Sequence, residues 1–516
     1  MRPLRIGIVD LVANCPPRSL YAKVMRANLA SIMPQVLAVW CEQEGHEVHL
    51  GVYSGYHNMV GELPDDLDIV FIGAFTTSAH AAYALSAKFR AQGAVTALGG
   101  PHSRCYPEDS AKYFDYVLGF TDKDTVRDIL QDCEPHRPQG VYHSAAAQPA
   151  ELPGVQDRWK YIERLLQEAP LVKVVPMLGS LGCPYTCSFC VDSIVPYQPL
   201  DFDVMKDDLR FLLGKTKRPL VGWHDPNFGV RFNDYLGAIE EAVPPDSIDF
   251  IAESTLSLLS EKNVQRLKKN GFKAMLPGIE SWYDMGNKSK TGQRKGIDKV
   301  KEVSEQVNMI LSYLPYLQAN FVLGLDCDEG NGPFELTREF LDRAPGAFPA
   351  YSMLTSFGRG APLNLQYQNE HRVIGFPFQF LNNSGAMNVK PKNYEWIDFY
   401  DRMIELHEFS FSKRAIGRRF KANGRFIPRV MNVVRAISSE GWGKHKYFTT
   451  VRKNLTDDKQ FRDFFEQESD IVPPFFADKV KDSLGPLWDW LPNKEITHDP
   501  YAYAKKEGSI AVAATA

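Results

Sequence analysis

The chain is poor in cysteine. Eight residues in 516, at 15, 41, 105, 133, 183, 187, 190 and 327, are too few for the disulfide framework of a small secreted domain. No run of 18 or more apolar residues occurs, which excludes a transmembrane helix. Neither sign of charge dominates: Lys plus Arg is 59, Asp plus Glu is 63, and the formal net charge is −4. That balance argues against a wholly basic nucleic-acid binder, while local patches stay open. No short-period repeat is present, which excludes a solenoid or propeller. The first apolar run is broken by Asp10 and Asn14, too early for a secretory core. It reads as a buried strand, and the expected compartment is the cytoplasm, where thiols stay reduced.

What is present is an ordinary globular composition, 44% hydrophobic and 24% charged. At roughly 150 residues per domain the length suggests three or so domains. Residues 1 to 133 alternate short apolar runs (Ile6–Val12, Val48–Tyr53, Ile69–Ala74, Val95–Leu98, Tyr116–Gly119) with helical stretches near 26–44, 79–92, 107–113 and 123–131. Continuous apolar strands spaced by helices predict a parallel, doubly wound sheet. Its ligands would sit at the strand carboxyl ends. Three loops fall there: Ala74-Phe75-Thr76-Thr77-Ser78, Gly99-Gly100-Pro101-His102-Ser103 and Gly119-Phe120-Thr121. Their glycines either admit a ligand to the backbone or merely make tight turns.

Residues 134 to 172, with Pro135, Pro138, Pro149 and Pro153, read as a linker. A second alternation follows over 173–385. Strands are predicted at Val172–Leu178, Leu220–His224, Asp249–Glu253, Lys273–Ile279, Leu317–Leu323 and Ala350–Thr355, with helices near 202–214, 233–243, 260–270, 294–308 and 334–344. Six such strands predict a full or partial parallel β/α barrel of the TIM type. From 386 to 516 the strand signal fades and helices are predicted at 395–410 and 427–437, ending in a frayed tail over 509–516.

Three of the eight cysteines crowd into Gly182-Cys183-Pro184-Tyr185-Thr186-Cys187-Ser188-Phe189-Cys190, a C-x3-C-x2-C spacing just after the first strand of the second alternation. A closed zinc site needs four ligands. His224 is the nearest downstream candidate and Cys327 lies far away. A cubane iron–sulfur cluster normally takes four cysteines, so three leave one iron open. An open position is what catalysis needs. A zinc knuckle or incidental cysteines are the bland alternatives.

This motif, with the aromatic Phe189 before its third cysteine, resembles the signature of radical S-adenosylmethionine (SAM) enzymes. The resemblance implies that Cys183, Cys187 and Cys190 hold a [4Fe-4S] cluster whose fourth iron chelates S-adenosylmethionine, which is cleaved to a 5′-deoxyadenosyl radical. The segments Trp223-His224-Asp225-Pro226-Asn227, Ile251-Ala252-Glu253-Ser254, Gly278-Ile279-Glu280-Ser281 and Phe321-Val322-Leu323-Gly324 resemble successive strand ends of that barrel. Asp225, Asn227, Glu253, Gly278, Glu280 and Ser281 are thereby implied near the cofactors. One departure is that no arginine follows Glu253. Lys288 or Lys290 are the candidates for the missing charge.

A doubly wound domain ahead of such a barrel is similar to the cobalamin-binding subfamily, whose members include methyltransferases. Gly99-Gly100-Pro101-His102 resembles its turn, and Thr76-Thr77-Ser78 falls where its hydroxyl-rich loop lies. The chain has no Asp-x-His-x-x-Gly motif, which implies cobalamin held without a histidine ligand or a domain that has lost it. His102 is expected to bond backbone or cofactor tail.

Between Lys413 and Lys453 stand twelve basic residues and one acid, Glu440, a local formal charge of +11. The preferred reading is a solvated helical face balanced by acids elsewhere. The sharper ones are a clamp for an anionic substrate or docking to an acidic membrane surface. Aromatics interleave, among them Phe420, Phe426 and Trp442, but no RNA-binding module is recognisable and no specific nucleic acid is expected. The resemblance implies that this region closes the barrel on its substrate side.

The sequence therefore reads as a cobalamin-dependent radical SAM methyltransferase acting on an unactivated carbon. A non-methylating radical enzyme and a non-catalytic metal or corrinoid carrier are the alternatives. No catalytic residue is assigned beyond the cluster. The expected partners are a small-molecule or lipid-like substrate, for which the basic segment would suit an anion, and a low-potential electron donor such as flavodoxin or ferredoxin.

Overall fold

Strands with apolar residues at every position need cover on both faces, and the first sheet has it. The structure is a computed structural model that describes residues 2–13, 31–54, 57–58, 62–133, 139–168, 171–283, 294–382 and 385–504. The sheet comprises β1 (Arg5–Ala13), β2 (Glu47–Ser54), β3 (His57–Asn58), β4 (Ile69–Ala74), β5 (Val95–Gly99), β6 (Tyr116–Leu118) and β7 (Val141–His143), in the order β3-β2-β1-β4-β5-β6-β7. All neighbours are parallel except β2 and the short β3. Ile6, Ile8, Ile69 and Phe71 face a core with the helices Ile32–Gln43 and Lys123–Asp132. The alternate residues Val9, Leu11, Val70 and Ile72 face another, with the helix Ala79–Ala91. Strand order reverses at β1, between β2 on one side and β4 on the other.

The span read as a linker is instead built into the first domain. Its β7 extends the sheet beside β6, and the helix Trp159–Glu168 buries Tyr161 and Leu165 in the first core. The turn before that helix is pinned from both sides. Buried Arg158 donates to the side-chain oxygen of Gln35 at 2.8 Å and to the carbonyls of Pro153 and Gly154. Asp208, on the helix Phe202–Lys215 of the next domain, accepts from the amides of Val155 at 2.7 Å and Gln156 at 3.0 Å. Pro135 and Pro138 lie outside the described residues.

The second sheet is six parallel strands in the order β15-β14-β13-β12-β11-β8: β8 (Val174–Met177), β11 (Leu220–Trp223), β12 (Asp249–Thr255), β13 (Phe272–Glu280), β14 (Tyr316–Leu323) and β15 (Phe348–Met353). A hairpin pair, β9 (Ser180–Leu181) with β10 (Gln198–Pro199), stands apart. Every crossover carries a helix, and Val221, Phe250, Ala252, Met275 and Ala319 pack with those helices in one core. The alternate side chains, such as Glu253, Glu280 and Asn320, face the other side and are half-buried or exposed. Among the described residues β8 and β15 do not pair, so the sheet is an open arc.

The predicted strands and helices are found with ends shifted by a few residues, while helix 107–113 shrinks to Pro107–Ser110 and the turn at 99–103 runs into a short helix, Pro101–Cys105. The start of the helix expected at 26–44 and the tail over 509–516 lie outside the described residues. Beyond 386 the helices Trp396–Phe411 and Phe426–Ile437 are joined by Lys413–Ala422, Trp442–Asp457, Lys459–Phe465 and Pro474–Leu484. Their core is continuous with the inner face of the first sheet and with Leu323 and Met353 of the second.

Asp208→Ala leaves two amides next to the interdomain turn without their acceptor. A loss of about 1–3 kcal/mol in urea unfolding is expected, and an unchanged midpoint would show that the turn does not depend on it.

Candidate functional site

The carboxyl ends of the two sheets face one cavity of about 380 Å³. From the first sheet it is lined by Asp10, Gly73, Ala74, Gly99, Gly100 and Gly119, and from the second by Leu178, Ser180, Gly182, His224 and Pro226. Its position is the switch point where strand order reverses, the usual ligand crevice of such sheets. Asp10, Gly73 and Gly99 stand side by side in register across β1, β4 and β5. Gly100 has a φ of 101°, and a Cβ there would sit 2.7 Å from the carbonyl oxygen of Ala74. The sheet thus presents a strip of bare backbone, broad enough to approach a flat ligand closely. Exposed Phe75, with Arg104 and Gln148, completes the rim.

Asp10 was not expected in this site. Its carboxylate accepts from the Ser31 amide at 2.6 Å, and burial pushes it up to about 6. The sequence signal was only an acid interrupting the first apolar run.

The three cysteines ride on a closed excursion between residues 179 and 200. Its base is the β9–β10 pair and a bond from the Leu200 amide to the Gly179 carbonyl at 2.9 Å. Gly182 has a φ of 63° and lies so close to the carbonyls of Val195 and Pro196 that a Cβ would collide with both. Cys183 and Cys187 are buried and Cys190 is half-buried, and all seven described cysteines are thiols. The Cys190 amide donates to the Cys187 carbonyl at 3.0 Å, and the Leu363 amide to the Ser188 carbonyl at 3.0 Å. Phe189 is half-buried between them. Among the described residues no three His, Cys, Asp or Glu side chains form a single-ion site. A cubane does not ask for that, because each thiolate binds a different iron. Three thiols on one loop of this kind suit such a cluster.

Asp225 is fully enclosed under the loop. Its Oδ2 accepts from the Gly179 amide at 2.9 Å, and its Oδ1 from the hydroxyls of Ser180 and Tyr235, each at 2.7 Å. Burial raises its pKa, against the pull of those donors. Asp225 was implied near the cofactors together with Asn227, and its carboxylate is taken up by protein donors. Asn227 is equally buried, yet neither its amide nitrogen nor its oxygen has a partner. The exposed Glu253 lies on the concave face of the second sheet. Glu280 sits at an irregularity in the β13–β14 register with a φ of 63°, a costly conformation for a residue with a side chain, and its carboxylate folds over Gly278. Ser281 is buried, accepts from the Tyr283 amide at 3.1 Å, and offers its carbonyl to Lys299. Lys288 and Lys290 lie outside the described residues.

The hydroxyl-rich loop does not reach the cavity. Thr76–Ser78 is a short 3-10 turn with Thr76 and Ser78 buried, and Phe75 takes its place at the rim. His102 does not bond backbone. It is fully buried, its Nε2 is 2.7 Å from the Tyr83 hydroxyl, and its ring meets Phe378 edge-on at 4.8 Å. Burial keeps that imidazole neutral.

No family model matches the chain. Two curated proteins of Chlorobaculum tepidum are similar to it. One is a bacteriochlorophyllide d C-12(1)-methyltransferase, 23% identical over 369 residues, covering 70% of this chain and 78% of that protein. The other is a bacteriochlorophyllide d C-8(2)-methyltransferase, 22% identical over 413 residues, covering 76% and 87%. The fold is similar to that of the cobalamin-dependent S-adenosylmethionine radical enzyme OxsB with aqua-cobalamin bound, at a TM-score of 0.56, 13% identity, and coverage of 95% of this chain and 80% of that one. It is also similar to the radical S-adenosylmethionine methyltransferase TsrM of Kitasatospora setae with cobalamin and a [4Fe-4S] cluster bound, at 0.51 and 14%, covering 71% and 78%. The fold is thus similar to that of solved enzymes of the kind the sequence resembles, and both curated relatives are methyltransferases.

Two outcomes follow from this geometry. Asp225→Asn turns an NH2 group toward a donor, so it should cost about 1–3 kcal/mol and lower the iron retained after anaerobic reconstitution; full iron content would refute its hold on the loop. For Asp10, a folded-state pKa of about 6 against the ordinary 3.8 means the folded chain binds the proton more tightly. Stability therefore falls as pH rises from about 4 to about 6, by on the order of 3 kcal/mol. Asp10→Asn should remove that loss, so its urea midpoint should gain on the parent's between roughly pH 4 and pH 7. Parallel pH profiles would contradict the assignment.

Proposed function

We propose that the chain is a cobalamin-dependent radical S-adenosylmethionine enzyme that methylates an unactivated carbon. The observation that carries this reading is one cavity bordered both by the base of the three-cysteine loop and by the glycine strip of the first sheet. When bound, the [4Fe-4S] cluster with S-adenosylmethionine supplies a carbon-centred radical, and cobalamin supplies the methyl group.

The chain's own part is to hold and to orient. Cys183, Cys187 and Cys190 are the cluster ligands, with half-buried Phe189 next to the third in the chain. Asp225 fixes the loop that bears them without touching the cofactors. Asn227 offers S-adenosylmethionine a buried donor and acceptor that no protein group uses, and a buried amide left unsatisfied is costly unless a ligand completes it. Glu253, Gly278, Glu280 and Ser281 extend this site along the strand ends. Gly99 and Gly100 admit the corrin face, while Thr76, Thr77, Ser78 and His102 brace their loops from behind. The concave face of the second sheet, beyond Glu253 and Asn320, takes a small-molecule or lipid-like substrate. The first and second sheets form the cobalamin-binding Rossmann-like domain and the radical barrel. The enzyme works in the cytoplasm with a low-potential donor such as flavodoxin or ferredoxin.

An anaerobic preparation should show iron–sulfur and corrinoid absorbance together. Cys183→Ala should reduce 5′-deoxyadenosine formation to background, and label from the methyl of S-adenosylmethionine should appear in product. A preparation with stoichiometric zinc and no sulfide would indicate a carrier. 5′-Deoxyadenosine without label transfer would indicate a non-methylating radical enzyme.

A further inference from the structure

The basic segment does not close the cavity. Arg419 donates to the Ala347 carbonyl at 3.0 Å, Asn423 to that of Gly346 at 3.2 Å, and Arg435 to the Tyr316 hydroxyl at 2.7 Å while lying 4.0 Å from the centre of the Phe348 ring. These partners lie at the amino ends of β14 and β15. The cysteine loop and the cavity lie at carboxyl ends, a strand length of about 25 Å away. A clamp on the substrate of that cavity is therefore ruled out for residues 413–437.

The helix Phe426–Ile437 is inside out. Its buried face carries Pro428, Asn432, Arg435 and Ala436. Both amide atoms of buried Asn432 lack a partner. Its outer face carries Phe426, Ile427 and Ile437, exposed to 75%, 74% and 59%, with Val430 between them. Phe420 and Trp442 are exposed on the adjoining helices. A monomer rarely leaves such a contiguous apolar stripe to water.

Charge names the occupant. Of the twelve cations, Arg418, Arg435, Arg452 and Lys453 are paired with Asp342, Glu440, Asp401 and Asp457. Among the described residues Lys413, Arg414, Lys421, Arg425 and Lys446 have no ion pair, and all five are exposed. The balance by acids expected from sequence is thus only partial. At the hairpin tip, exposed Phe420, Lys421, Arg425, Phe426 and Ile427 set cations beside apolar side chains within eight residues. Two copies meeting through this face would bring like charges together, which argues against self-association. We propose that this face docks on an anionic lipid bilayer, with the apolar side chains of residues 420–442 entering the acyl boundary and the free cations meeting lipid phosphates. The protein would then lie on the membrane with its cavity turned away from the contact.

The test is co-sedimentation of the full chain with vesicles. Binding is expected to phosphatidylcholine vesicles containing phosphatidylglycerol, weaker in high salt, and not to phosphatidylcholine alone. Ile427→Glu should weaken partitioning by about tenfold or more, as should Lys421→Glu with Arg425→Glu. All are exposed positions, so the melting temperature and 5′-deoxyadenosine formation should be unchanged. Absence of vesicle binding, binding indifferent to lipid charge, or equal binding by the variants would overturn the proposal. So would a dimer in light scattering that Ile427→Glu converts to monomer.

Discussion

One carboxylate holds the candidate site in place. Asp225 gathers the Gly179 amide and the Ser180 and Tyr235 hydroxyls, and these donors belong to the start of the cysteine loop and to the helix Phe232–Ala242 behind it. A buried carboxylate with several donors is a strong and geometrically specific junction. It ties the start of the loop, where the β9–β10 pair begins, to the helix behind it. Asn227, two residues on, is buried in the same shell but left without partners. The same strand end thus supplies one residue to the scaffold and one polar group still to be satisfied.

The second constraint is orientation. Parallel strands joined by helices put all their loops of one kind on one edge. Two such sheets have been set edge to edge, so the glycine strip of the first and the cysteine loop of the second share a single cavity. Arg158 and Asp208 hold the connecting turn from opposite sides, and the spacing of the two edges is thereby set by buried polar contacts.

Much of this was legible in the sequence because the physics is local. Apolar runs such as Ile69–Ala74 or Leu317–Leu323 declare buried strands, and C-x3-C-x2-C declares a ligand loop, wherever the rest of the chain goes. What depended on long-range packing was not legible. The hydroxyls of Thr76 and Ser78 looked available, but both side chains are buried within the fold. Prolines suggested a free linker, yet β7 and the helix after it are pinned. The stretch at 427–437 was legible as a helix, but helical periodicity says nothing about whether its apolar side points inward. Asp10 and Asp225 are single acids whose meaning lies in their burial.

The inner core of the first sheet runs without a break through Leu323 and Met353 into the C-terminal helices as far as Phe476 and Leu487. The three segments of the chain therefore do not have three independent histories of folding or of change. A substitution in the last hundred residues is felt under the glycine strip, and a transplanted C-terminal region would have to match two sheets at once. The outer helices and the first sheet thus stand or fall on one shared interior.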